Sequence, residues 1–342
     1  MKFDVCIGNP PYQETKSGTR NVSIWPNFIK ETSNISDKRC FIHPGRWVIP
    51  KKNDKALVKD LIDIHHLTRF KFWSNADKCF NGIALDGGIS ITYFNSEHTG
   101  MPEYYIDDKY MGTYTFNTII FANDYLKEAY TKVFDKIVSH AKTMLDYRYG
   151  VSTVGCTYGV DKKINGNKLK DSSANMKEPI KVWINTDMRN SQGEYEWKYI
   201  EKNDMLSYPD YLFNSRKVMI TNHGNAIHGG NGNVINNNPQ ICDKFSTAVG
   251  VYWFYPAHDT DRELELIKSL FMTKTARYLM SIKQRDRYCM GFECIPDYLE
   301  LAKLLPEDEL FTDEWFYKTF DFSEGLINEI ETRVSPKVDK EA

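Results

Sequence analysis

Phe3-Asp4-Val5-Cys6-Ile7-Gly8-Asn9-Pro10-Pro11-Tyr12 stands at the start of the chain and decides how the rest is read. Val5 and Ile7 are β-branched residues in a short apolar run, the pattern of a buried strand. Gly8 ends that run. The two prolines fix φ and remove two N–H donors, so neither a sheet ladder nor a helix continues through them. A rigid turn at the C-terminal tip of a strand is expected, where open α/β sheets place their ligand crevices. That turn presents the amide of Asn9, the carbonyl of Pro10 and the ring of Tyr12.

Those groups suit one reaction. The amino group of adenine is a poor nucleophile because its lone pair is delocalised into the ring. The Asn9 side-chain oxygen and the Pro10 carbonyl can each accept one of its N–H bonds. That favours tetrahedral nitrogen and the positive charge that develops as it attacks a methyl donor. Tyr12 can stack on a base swung out of a duplex, because chemistry on a paired base requires its extrusion.

Asn9-Pro10-Pro11-Tyr12 after Phe3-Asp4 resembles the catalytic motif of adenine-specific DNA methyltransferases. The closer resemblance is to restriction–modification methylases that carry a target-recognition domain in the same chain. Phe41-Ile42-His43-Pro44-Gly45-Arg46-Trp47 and the Gly87-Gly88 strand segment through Phe94 resemble further segments of that family. The resemblance implies a partial Rossmann-like methyltransferase sheet of α/β class, followed by an α+β target-recognition domain. It also implies S-adenosylmethionine as methyl donor and double-stranded DNA as substrate. The catalytic set would be Asn9, Pro10, Pro11 and Tyr12. Carried over by position, Phe94 is either the second face of a base sandwich or a core residue; Tyr93 points the other way along the strand.

In that family the donor is held mostly by segments that precede the motif. These are a strand ending in a glycine-rich turn and an acidic residue at the next strand. Only eight residues precede Asn9 here, so those segments lie outside the chain. The asparagine-rich stretch Gly224 to Gly232 reads as a surface turn, not a substitute. The strand Phe3 to Ile7 is thereby left as an apolar edge, which soluble proteins rarely leave uncovered. A second polypeptide bearing the donor site, or a second copy of this chain, is the expected cover. A DNA-specificity module with a silent motif is the alternative reading, and methylation of a glutamine or another amine is a third.

The chain has 342 residues, enough for two domains, and a net charge of −2, which excludes a generally basic coat but not a basic cleft. Seven cysteines without a C-x-x-C pair speak against zinc or a disulfide framework and for a reducing cytoplasm. Membrane-spanning runs and a signal-peptide pattern are both missing from the sequence.

Residues 1–100 alternate strand and helix patterns. Gln13 to Asn21 reads as a loop, either connector or lid. Helices are expected at Ile24 to Thr32 (Trp25, Phe28 and Ile29 on one face) and Asp54 to Ile64. Strands are expected at Arg39 to His43, Thr68 to Trp73 and Ile89 to Phe94, the last antiparallel. Residues 101–149 read as a connector followed by a long helix from Asn123 to Asp146.

Residues 150–334 are expected to recognise DNA, with short strands at Ile180 to Ile184, Lys217 to Thr221 and Val249 to Tyr255. Helices resume from Asp261, and residues 335–342 are a frayed tail. Lys268, Lys274, Arg277, Lys283, Arg285 and Arg287 form the strongest basic concentration and the candidate phosphate contacts. Asp187 with Glu196-x-Lys198 fits a nuclease pattern only loosely.

Overall fold

The computed structural model describes residues 2–14, 22–49, 55–82, 85, 87–115, 118–149, 168–185, 195–204, 214–221, 234–235, 238–248, 251–284 and 290–337. It divides into two units, with the division falling inside helix α3 (Asp124–Asp135).

The first unit is built on a mixed six-stranded sheet in the order β1-β4-β6-β5-β7-β8. Its strands are β1 (Cys6–Gly8), β4 (Lys38–Pro44), β5 (Leu67–Trp73), β6 (Ile89–Asn95), β7 (Glu103–Ile106) and β8 (Lys109–Thr113). A short ribbon, β2 (Gln13–Glu14) with β3 (Val22–Ser23), follows the proline turn, and α1 (Trp25–Thr32) and α2 (Lys55–Asp63) connect the next strands. β1 runs parallel to β4, with Cys6 beside Arg39 and Gly8 beside Phe41. β6 is antiparallel to both β4 and β5, as its alternating pattern predicts.

Strand periodicity sorts the side chains. Phe41, Phe70, Phe72 and Phe94 enter one core with Trp25 and Ile29 of α1 and Val58, Leu61 and Ile62 of α2. The i, i+4 spacing of Trp25 and Ile29 defines the buried stripe of α1, and Pro26 fits its first turn, where no N–H is needed. Phe28, expected on the same face, is exposed. Trp47, Phe70 and Tyr114 meet edge to face at 4.8 to 6.3 Å. Arg39 is buried in this core because it serves two carbonyls, Ile29 O at 2.8 Å and His65 O at 2.9 Å, and lies over the Phe94 ring at 5.0 Å. Gly88 admits no side chain: with φ +70, a Cβ would stand 2.2 Å from the Trp73 carbonyl oxygen.

Two expected boundaries move. Residues 103–113, read as connector, form β7 and β8 of the sheet, because Tyr104 and Ile106 alternate inward with Glu103 and Tyr105. The long helix from Asn123 to Asp146 stops at Asp135. Thr143 is extended and caps a separate 3₁₀ turn at Met144–Tyr147 through a capping box with Asp146.

The second unit holds a three-stranded sheet of β10 (Pro179–Asn185), β11 (Tyr195–Glu201) and β14 (Ser246–Ala248). A four-stranded sheet contains β9 (Arg148–Tyr149), β12 (Lys217–Thr221), β13 (Gln240–Cys242) and β15 (Val251–Phe254). Helices α4 (Asp261–Met272), α5 (Lys274–Met280), α6 (Tyr298–Ala302), α7 (Asp313–Thr319) and α8 (Glu324–Arg333) follow. The Thr260 hydroxyl caps α4, and the Asp313 carboxylate accepts from the N–H groups of Lys274 and Thr275 at the start of α5.

Candidate active site

β1 delivers its last residue, Gly8, beside Phe41, and the proline turn begins at the strand's C-terminal end. Pro10 is buried, Asn9 and Pro11 are exposed, and Tyr12 is half-buried. The Tyr12 carbonyl accepts from Ile24 N at 3.2 Å, and Gln13 and Glu14 pair with Ser23 and Val22. The turn is therefore held at both ends, by the sheet and by the ribbon leading into α1.

Within the corner the Asn9 side chain hydrogen-bonds the Tyr12 phenol. Burial raises the phenol pKa, the Cys79 thiol adds to the rise, and the Asn9 side chain opposes it.

The segment after β5 comes near the corner at Cys79. The Asn75 side chain accepts from Asp77 N at 3.1 Å, and the Asp77 carboxylate accepts from Gly82 N at 2.6 Å. Gly82 takes φ +77, which closes the loop. Lys78 pairs with Asp107, and Lys71 pairs with Asp108 at 2.5 Å. Both aspartates occupy the left-handed region at the β7–β8 turn, where aspartate is tolerated. This bracing holds Cys79 near both Tyr12 and Asp108, and Asp108 adds to the burial that raises the Cys79 thiol pKa. Phe80, the next residue, is 38% exposed.

Behind the corner His43 is fully buried and stacked on Trp25 at 3.8 Å with planes 8° apart. Its Nε2 lies 2.9 Å from Thr92 Oγ1, and burial pushes its pKa down to about 3. It is therefore neutral near pH 7 and serves as packing rather than as an acid or base.

Phe94 does not join the corner. It is 2% exposed and pairs with Arg39, which pairs with Cys6, so it sits at the level where β1 begins. Asn9 lies beyond the other end of β1, and Phe94 is core.

The basic segment is likewise rearranged. Arg277 is buried and donates to the carbonyls of Thr273 at 3.1 Å, Met272 at 3.0 Å and Ser335 at 2.5 Å. Burial lowers its pKa to about 10, and it cannot meet a phosphate from there. Lys274 pairs with Glu331, Lys283 pairs with Glu293 at 3.3 Å, and Lys268 is half-buried. Arg285 and Arg287 lie outside the described residues, as do Asp187 and Gly224 to Gly232. Lys198 pairs with Glu196 at 2.6 Å, and no cluster of metal-ligating side chains occurs among the described residues.

Comparison with known proteins supports the motif. Residues 1–80 match the family model of the Eco57I restriction-modification methylase. A protein of Mycoplasma pneumoniae described as an uncharacterized adenine-specific methylase is 26% identical over 106 residues, covering 29% of this chain and 25% of that protein. Among solved structures, the type IIG restriction endonuclease BpuSI aligns with a TM-score of 0.33 and 10% identity, over 93% of this chain and 50% of that one. The type IIL restriction-modification enzyme MmeI, solved in complex with DNA, aligns with a TM-score of 0.41 and 12% identity, over 98% and 55%. The chain thus spans about half the length of these structures, and its match covers a quarter of the curated relative. The family match and the adenine-specific relative support a restriction–modification methylase.

β1 is the terminal strand of its sheet, and Ile7 on it is 75% exposed.

Proposed function

We propose that this chain carries the amine-activating half of a DNA adenine methyltransferase from a restriction–modification system. The hydrogen bond between Asn9 and Tyr12 carries this reading. It joins the Asn9 amide and an aromatic ring on one proline-locked corner, and the methylase match over residues 1–80 includes that corner.

In this reading an extruded adenine enters beside Tyr12, with Phe80 rather than Phe94 as the opposing face. The Asn9 oxygen and the Pro10 carbonyl accept the two amine hydrogens, so that partial positive charge on nitrogen is met by fixed dipoles. Positioning and hydrogen bonding are what this chain contributes. The methyl donor is S-adenosylmethionine, held by elements that lie against the free edge of β1. A further segment, whether of the same polypeptide or of a second one, lying along the edge of β1 would supply them. Double-stranded DNA is the substrate.

Expression in cells devoid of adenine methylation, alone and together with a donor-binding partner, tests the assignment. N6-methyladenine in digested genomic DNA from the pair, abolished by Asn9→Ala, is the expected result. Methylation that survives Asn9→Ala would defeat it. DNA binding without methylation in every combination would favour the specificity-module reading.

A further inference from the structure

The first unit carries a second concavity, set apart from the proline corner. It has a volume of about 650 Å³, and its lining includes Lys38, Arg69 and His98, with rings from Tyr93 and Tyr110. It opens near the start of β4 and β5, whereas Asn9 follows the end of β1. Asn9 continues β1 to the level of Ile42, and Lys38 lies four residues earlier on β4, roughly 13 Å along the strand.

Its charge is one-sided. Glu103 is the one carboxylate in the lining, and it sits beside Arg69 in the β5–β7 register. Yet Glu103 accepts from the Tyr105 hydroxyl at 3.2 Å, and the Arg69 guanidinium lies over the Tyr93 ring at 4.5 Å. Among the described residues, neither Lys38 nor Arg69 forms an ion pair, and both are exposed. One further polar atom of a lining residue, His98 Nε2, is buried with no hydrogen-bond partner. Unsatisfied buried polar groups are costly and rare in folded proteins.

The geometry points to a second binding site: the groove between Lys38 and Arg69 takes a phosphate-bearing ligand. A concave wall of one charge focuses its field on an anion. The Arg69 fork matches two phosphate oxygens at once, and stacking on Tyr93 holds that fork in place. Lys38 provides the second cation as a point charge. Tyr93 and Tyr110 add ring faces of the kind on which bases stack in single-strand sites. The shared chemistry is phosphate, carried either by a free compound or by a nucleic-acid strand. This inference does not depend on the reaction assigned to Asn9.

Two probes test it on the full chain. Fluorescein-labelled oligothymidylate reports strand binding by anisotropy and contains no adenine for the Asn9 corner. Tripolyphosphate, followed by calorimetry, reports free phosphate. Lys38→Glu and Arg69→Glu are each expected to weaken the binding seen at least tenfold. The gentler Lys38→Gln and Arg69→Gln should move it in the same direction, and Asn9→Ala should leave it unchanged. If the strand binds, its salt slope should fall by about 0.7 for each cation removed. Binding of tripolyphosphate alone would identify a free phosphate compound as the ligand, and strand binding would identify nucleic acid. Binding of neither probe, equal binding by the Lys38→Gln/Arg69→Gln double variant, or loss of binding in Asn9→Ala would overturn the site.

Discussion

Lys78 reaches across from the loop after β5 to the Asp107 carboxylate at the β7–β8 turn, joining the loop that carries Cys79 to that hairpin. One hairpin is thereby latched to the loop that carries Cys79 and Phe80. Exposed ion pairs contribute little to global stability, so the latch acts on the position of the loop rather than on the fold. Asp107→Asn should lower unfolding stability by less than about 1 kcal/mol. It should also speed thiol modification of Cys79 severalfold relative to Cys40, measured by mass spectrometry after timed alkylation. Unchanged Cys79 reactivity would show that the loop is held without the pair.

Phe80 and Phe94 should separate function from packing. Phe80 is exposed, so Phe80→Ala should change stability by less than about 1 kcal/mol while reducing methyl transfer by the partnered enzyme at least tenfold. Phe94→Ala empties a core position and should cost about 3–5 kcal/mol, read from denaturant midpoints. Activity recovered in the folded fraction of Phe94→Ala would confirm that its ring does not touch the base.

His43 makes stability depend on pH in a defined direction. Its pKa is about 3 in the folded chain against 6.5 for an ordinary histidine. Between those values the unfolded chain binds the proton and the folded chain does not. The contribution is complete above pH 6.5 and lost as pH falls toward 3, by about 1.4 kcal/mol per unit. His43→Gln removes that slope, so the stability difference between wild type and variant should shrink on acidification from pH 7 to pH 4. A difference that stays constant over that range would refute the burial of a neutral ring.

Arg277→Ala should destabilise the second unit by about 3 kcal/mol or more, because three carbonyl oxygens lose their donor. Its effect on DNA affinity, measured on folded protein at fixed salt, should be negligible. A lowered salt slope of DNA binding in Arg277→Ala would instead make it a phosphate contact.

Several features were legible from residue order alone. Two prolines after a β-branched run allow few backbone paths, so the corner at Asn9 to Tyr12 could be read locally. Strands of the first sheet near 39–43, 68–73 and 89–94 were legible, the last from its alternation, and so was α1, although Phe28, read on the face of Trp25 and Ile29, is exposed. The opening run departs from its reading as a buried strand over Phe3 to Ile7: β1 covers Cys6–Gly8 at the sheet's edge, and Phe3, Val5 and Ile7 are exposed.

Tertiary structure decided which charges and rings are available. Arg277 and Lys38 look alike in sequence, yet one is enclosed by carbonyls at the end of α4 and beside Ser335, and the other stands on an open groove. Phe94 and Phe80 both follow the motif in order, and only strand register shows that the first lies at the wrong end of β1. Local pattern determines backbone geometry because steric limits act between neighbours in the chain. Burial, register and ion pairing depend on residues far apart in sequence, such as Lys78 with Asp107, which meet only once the sheet has formed.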